Sequence, residues 1–425
     1  MTAYDDTRLQ AVRIIESLRS GVPTLLSTRE MPDLRPELVN TIRGDLDSFA
    51  EGRVPPGRLV WGQYGQGKSH LLITVGHLAL EMGFAVSFVS LSREVSCHNL
   101  LHFYQRVAPV LRTPDSKVPG LQVQLASRKP SDLTATPIQD PERYNHRWPA
   151  VVLELLFHCG GDDEDYYSLY NDLMGYRLPV TQVRHIAQRV GLGHLLRDLP
   201  RFRQEHAQAY FGVLADVVRW CGYKGWVILI DEVELIARLG KVSRLHAYSN
   251  LHWLLNWAND MPYPIYLLVA SATSLQELWY GKNGRRRPDR VAIPELAEVR
   301  LAPEAARRMH DFFDLAASHN NPTIGPVPRE AVFPLLEHLV ELHARAYDWN
   351  PPSAGEWVRE VTSSLPEDTK LRTYIRYVLE ALDQLLLTGK TPQLEVERLS
   401  EPHVSEDEGF FVSEEDDSPQ VQTER

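Results

Sequence analysis

Three glycines, a lysine and a serine stand close together in Gly62-Gln63-Tyr64-Gly65-Gln66-Gly67-Lys68-Ser69. Glycines at this spacing let backbone N–H groups curl around an anion with no Cβ in the way. The spacing matches the phosphate-binding pattern GxxxxGK[ST] in full. In such a loop Lys68 would carry a point charge to the β- and γ-phosphates of a nucleoside triphosphate, and Ser69 would offer a hydroxyl to Mg²⁺. A helix opening at Ser69, with His70 in its first turn, would direct its positive end at the same phosphates. Gly62 to His70 is therefore the candidate nucleotide-binding stretch.

A second stretch, Trp226-Val227-Ile228-Leu229-Ile230-Asp231-Glu232, is an apolar run that ends in two adjacent acids. Next to a phosphate loop this is the Walker B arrangement: Asp231 would hold Mg²⁺, directly or through water. Glu232 would position or polarise the attacking water as a general base. The alternative is a surface turn after a buried strand. Glu234 is expected to face solvent. A third apolar run, Ile265 to Ala270, leads into Ser271-Ala272-Thr273. Either Ser271 or Thr273 would sense the γ-phosphate or the attacking water, or Thr273 or Ser274 would cap the next helix.

Two arginine groups remain. Lys282-Asn283-Gly284-Arg285-Arg286-Arg287-Pro288-Asp289-Arg290 holds five cations in nine residues. Arg285, Arg286, Arg287 and Arg290 could supply an arginine finger to a neighbouring subunit, contact the phosphates of double-stranded DNA, or form a solvated basic loop. Further on, Arg372 and Arg376 lie one helical turn apart, and either could reach the phosphates or sit on an ordinary helix face.

These residues need elements to hold them. Leu9, Val12, Ile15 and Leu18 recur at helical spacing, as do Leu38, Ile42, Leu46 and Phe49. Arg58 to Trp61 reads as a strand, Ser69 to Met82 as a helix and Phe84 to Leu91 as a strand covered on both faces. Together they form a βαβ unit. Residues 113 to 149 are polar and rich in proline, and helical segments run from Ala150 to Trp220. Further helix is expected from about Ser249 to Asp260. From Ala302 to Leu387 the chain is mostly helical, with loops near Asn320 to Pro328 and Asn350 to Ser353.

Together these features look like an AAA+ type P-loop ATPase of the origin-recognition-like and signalling-ATPase kind. More closely, the chain resembles the ATP-binding proteins of BREX-type phage defence, the BrxD-like family. The resemblance rests on Arg13-Ile14-Ile15-Glu16-Ser17-Leu18-Arg19-Ser20-Gly21-Val22-Pro23, Gly62 to Leu72, Ile228 to Glu234 and Leu371 to Asp383. It spans most of residues 7 to 390, and the Walker motifs are its specific part. It implies an α/β P-loop fold: a parallel sheet with helices on both faces and an all-helical C-terminal lid. It also implies ATP with Mg²⁺ as cofactors, other defence-complex proteins as partners, and a role beside components that act on DNA. By similarity, Arg19 to Pro23 lie near the adenine and Arg372 takes the lid-sensor place. Lys68 and Asp231 are 163 residues apart, far more than a compact core of this kind needs, so a large helical insertion is expected between them. No winged-helix segment is evident after the lid.

The expected organisation is thus an ATPase core over 1–112 and 211–300, an insertion over 113–210, a lid over 301–390 and a disordered tail over 391–425. The formal net charge is −11, but Glu401 to Arg425 hold nine acids and one arginine, so the body is nearly neutral and nucleic-acid binding stays open. The tail could itself occupy the basic loop. The polar start Met1-Thr2-Ala3-Tyr4-Asp5-Asp6 is not a secretory signal, and no run of about 18 apolar residues suggests a membrane span. Cys97, Cys159 and Cys221 form no CxxC pair, which fits a reducing cytoplasm. Two further readings keep the same pocket: a slowly hydrolysing nucleotide-gated scaffold or switch, and a small-molecule kinase. A homo-oligomer is open to all of them.

Overall fold

The most apolar runs of the chain become its strands in the computed structural model, which describes residues 3–390 apart from 21–24, 127, 134–135, 160–162, 198, 282–286, 319 and 367–368. Four strands, β1 (Arg58–Gly62), β2 (Ala85–Ser90), β3 (Trp226–Asp231) and β4 (Ile265–Ala272), pair in parallel. A two-residue strand, β5 (Thr323–Ile324), joins the edge beside β1, giving the order β2-β3-β4-β1-β5. Two residues are too few to show a period, and this segment reads as loop in the sequence. The expected βαβ unit is present, but β3 and β4 fill the space between β1 and β2. β4, which follows β3 in the chain, thus lies between β3 and β1.

Side chains alternate along each strand, and the two faces collect different helices. Val60, Val86, Leu229 and Leu268 pack on the helices α3 and α4 described below. Trp61, Ala85, Ile228 and Leu267 face the opposite cluster. Both faces being buried explains why β3 and β4 read as continuous apolar runs.

The helices follow in chain order. α1 (Ala3–Ser20), α2 (Leu25–Glu30) and α3 (Pro36–Ala50) precede the sheet, and α4 (Lys68–Glu81) follows the phosphate loop. α5 (Leu100–Val107), α6 (Gln122–Ala126), α7 (Trp148–His158), α8 (Glu164–Leu173), α9 (Val180–Arg189) and α10 (Gln208–Trp220) span the long interval before β3. Their apolar side chains are continuous with the core on one sheet face, where Phe211 of α10 stacks on Trp226 at 5.8 Å. α11 (Lys241–Leu254) begins earlier than its apolar pattern suggests. It packs with α12 (Ser274–Tyr280), α13 (Asp289–Arg300) and α14 (Pro303–Ala316) on the same face.

Of the region 301–390 expected to form a lid, α15 (Arg329–Tyr347), α16 (Ala354–Val361) and α17 (Leu371–Thr388) have a core of their own. Helix α1 joins this core rather than the sheet: Ala11, Ile14 and Ile15 are buried against the lid helices. The acidic tail lies outside the described residues.

Candidate active site

Parallel register brings the reactive segments together. Gly62 pairs with Ala272, and Ser90 with Asp231, so the ends of β1, β3 and β4 share the carboxyl edge of the sheet, where ligands of open α/β sheets bind. The phosphate loop leaves β1 there. Gly65 (φ 80°) and Gly67 (φ 87°) occupy the left-handed region that glycine adopts without steric cost. A Cβ on Gly62 would come within 2.6 Å of Ile324 Cγ1 in β5, so a side chain there would displace Ile324.

The loop holds its own shape. Gln63 N–H donates to the Gln66 side-chain oxygen at 2.6 Å. From behind, the Arg35 guanidinium donates to the backbone carbonyls of Gln66 (3.1 Å) and Gly325 (2.6 Å). Lys68 Nζ donates to the carbonyls of Gly62 (3.1 Å) and Gln63 (3.2 Å), which keeps the ammonium inside the cradle. Burial lowers the Lys68 pKa, while Glu234, Asp231 and Glu232 pull it back up.

Asp231 ends β3 and is buried. Its carboxylate accepts the Glu232 N–H at 2.9 Å and the Ser69 hydroxyl. Burial raises its pKa, and those two bonds and Lys68 oppose the shift. The Ser69–Asp231 pair is the hydroxyl-plus-carboxylate donor set that suits Mg²⁺, a cation that keeps waters and takes its remaining ligands from substrate phosphates. Among the described residues there is no cluster of three or more His, Cys, Asp or Glu that could hold a metal. Glu232 stands at φ 58°, a strained conformation for a residue with a side chain. Its side chain is exposed, and its pKa is raised by partial desolvation and then by Asp231 and Glu234.

Glu234 corrects the solvent-facing expectation. It is buried, and its carboxylate accepts the Ala272 N–H at 2.8 Å, joining the turn after β3 to the end of β4. Its pKa is raised, chiefly by burial. No sequence signal marks it: the left-handed backbone at Glu232 (φ 58°) folds Glu234 back toward β4.

Lys68, Ser69, Asp231, Glu232 and Glu234 line one cavity of about 300 Å³ together with Tyr64, Gly65, Gly67 and His70. Its other wall is apolar, with Leu18, Met31, Ile73 and Leu335. The His70 Nε2 is buried with no hydrogen-bond partner among the described residues, and burial lowers the His70 pKa. Leu371, Arg372 and Ile375 of the lid close the cavity. The Arg372 guanidinium lies 4.5 Å from the Tyr64 ring centre and donates to its hydroxyl at 2.5 Å. Arg376 instead turns to α1, where its Nε donates to the Arg19 carbonyl at 3.3 Å. Arg19 itself binds Asp383 of the lid with both carboxylate oxygens.

Ser271 and Thr273 do not line the cavity. Ser271 is buried in β4 opposite Trp61, with its hydroxyl on the Ala272 carbonyl at 3.3 Å. Thr273 precedes α12 without a side-chain capping bond, and its N–H donates to the Gly62 carbonyl at 3.3 Å.

With this geometry in place, the chain matches the protein-family model described as "BREX system ATP-binding protein BrxC/D" over residues 7–123 and 201–286. The chain belongs to the BrxC/D family. The first BrxC/D block carries the phosphate loop. The second carries Asp231, Glu232 and Glu234, together with Arg285 and Arg286. Residues 124–200, which include α7 to α9, fall between the blocks. No curated protein and no solved structure matches the chain.

The basic segment, which runs past the end of the second block at residue 286, is only partly described. Arg285 and Arg286 lie outside the described residues. Arg287 pairs with Glu295 on α13, and Arg290 lies 5.7 Å from the centre of the Tyr280 ring. Neither lines the nucleotide cavity. No described helix is long and apolar enough to cross a membrane.

Proposed function

We propose that this BrxC/D-family chain is a Mg²⁺-dependent ATPase whose lid reads the nucleotide. The observation that carries the reading is the meeting of Lys68, Ser69, Asp231 and Glu232 in one cavity that Arg372 closes from the lid. The backbone of Gly62 to Ser69 and the Lys68 ammonium would hold the β- and γ-phosphates. Ser69 and Asp231 would hold Mg²⁺, which when bound supplies positive charge between those phosphates. Glu232, with its raised pKa, accepts the proton of the water that attacks the γ-phosphorus, and ADP and phosphate leave. Glu234 keeps the turn in register with β4. Arg372 exchanges Tyr64 for the γ-phosphate as the lid closes, and α1 travels with the lid through Arg19 and Asp383.

The setting follows from the family. The partners are other components of a BREX defence system, in the cytoplasm. Double-stranded DNA binds through the basic segment that includes Arg285, Arg286, Arg287 and Arg290, or those arginines complete a neighbouring copy's site in a homo-oligomer. Glu232→Gln is expected to keep ATP affinity within about twofold and to lose turnover by about 10²-fold or more. Turnover at the native rate in that variant would remove Glu232 from the mechanism. Turnover measured against protein concentration, with and without duplex DNA, separates the two roles of the basic segment.

A further inference from the structure

A second cavity, of about 590 Å³, opens in the helical region between the phosphate loop and β3. Three arginines line it: Arg177, Arg184 and Arg201. The described lining residues include no carboxylate, and Asp198 lies outside the described residues. The buried Asp172, whose charge interacts with Arg177, spends its hydrogen bonds elsewhere: it accepts from Trp148 Nε1 (3.0 Å), the Tyr210 hydroxyl (2.7 Å) and the Leu178 N–H (2.7 Å).

Arg177 is the centre of this arrangement. Its guanidinium is sandwiched between two aromatic rings, 4.9 Å from the centre of Trp148 and 4.3 Å from that of Phe202. Cation–π contact with two rings restricts the fork. Its Nε is buried and has no hydrogen-bond partner among the described residues. An unmet buried donor on a charged group is costly, and a ligand oxygen would remove that cost. The first turn of α9 also lines the cavity, at Pro179 and Val180. Its leading N–H groups lack intrahelical partners, and its dipole is positive at that end. Arg184 lies one turn further along the same helix. The remaining walls are apolar, including Leu178, Leu196 and Leu199.

We infer that this cavity is a second ligand site, distinct from the ATP cavity, that takes a phosphorylated nucleotide. Arginine forks and a helix N-terminus match the oxygens of a phosphate. The apolar walls from Leu178, Leu196 and Leu199 match a flat base. The volume falls in the range of small-ligand pockets, roughly 300–1,000 Å³. The nucleotide is either free or one unpaired unit of a nucleic-acid strand, and both present the same phosphate and base.

The test uses the full chain carrying Lys68→Ala, which keeps probes out of the phosphate loop, with and without Arg184→Glu/Arg201→Glu. Both arginines of the pair are exposed, so the fold is expected to survive, and an unchanged melting temperature checks this. The probe is a fluorescently labelled 5′-phosphorylated oligothymidylate, competed with thymidine monophosphate, thymidine and inorganic phosphate. The expected result is binding that weakens at least tenfold on double charge reversal. Competition by thymidine monophosphate identifies a free nucleotide as a ligand, and competition by unlabelled oligonucleotide alone identifies a strand. Absence of binding, or binding unchanged by the charge reversal, overturns the site. Thymidine or inorganic phosphate competing as well as the nucleotide overturns the nucleotide class.

Discussion

At the scale of single residues, Glu232 combines strain with reactivity. A non-glycine residue at φ 58° costs of order 1–3 kcal/mol. Its carboxylate also sits beside Asp231 and Glu234. Glu232→Gly is therefore expected to stabilise the fold by about 1 kcal/mol, after allowing for the extra freedom of glycine in the unfolded chain, while turnover is lost. Denaturant unfolding checks this, and a lower midpoint would contradict the strain argument. Glu234 makes a pH-dependent prediction. Its folded pKa is raised, so its contribution to stability is fully present below the unfolded value, about 4.3, and is lost as pH rises through the folded value. Glu234→Gln can still accept the Ala272 N–H and carries no buried charge. It should melt higher than the native chain at pH 7, and the gain should disappear near pH 4. The Gly62–Ser69 pattern and the Asp231–Glu232 pair were legible as residue types at set spacings. Glu234 was not, because its inward position depends on one backbone dihedral.

At the scale of elements, the site exists because three strands end in register. The apolar runs announce β3 and β4, and the phosphate loop announces β1 and α4. Their lateral order is set by long-range pairing that no local pattern encodes. The start of α13 shows how firmly a neighbouring element is held. Arg244 and Asp289 are both buried and exchange two bonds, at 2.8 and 3.0 Å, and the Tyr248 hydroxyl adds a third to Asp289 at 2.8 Å. This fixes the first turn of α13, immediately after the basic segment. Asp289→Ala would leave the Arg244 charge buried and unpaired, a loss of about 3–5 kcal/mol. Thermal unfolding of the variant measures it, and a loss below about 1 kcal/mol would show that water or another acid replaces Asp289.

At the scale of the whole molecule, the two ends of the described chain meet. Helix α1 packs in the lid core, and Arg19 binds Asp383, which also accepts from Nε2 of the buried His343 at 3.0 Å, while His343 Nδ1 accepts from Trp349. The lid that carries Arg372 therefore includes the first helix, and lid motion should move both together. Ile15→Ala removes a fully buried side chain from that core, at a cost of about 2–5 kcal/mol. Hydrogen exchange should accelerate in α1, α15 and α17 and leave β1, β3 and β4 protected. Acceleration spread evenly over the sheet would mean that lid and core unfold as one unit.

The amino-acid sequence alone determined the phosphate loop, the acid pair after β3, the helical character of the long interval and of the C-terminal region, and the likeness to BrxD-like proteins. These follow from residue type and from spacing within about 20 residues, the range over which steric and periodic constraints act. The tertiary structure decided the strand order, the two-residue β5, the inward Glu234, the inward burial of Ser271, the union of α1 with the lid and the arginine cavity beside α9. Each depends on contacts between segments far apart in the chain. Such contacts come from packing and parallel register, in which a residue's neighbours are set by which faces must be buried and not by its place in the sequence.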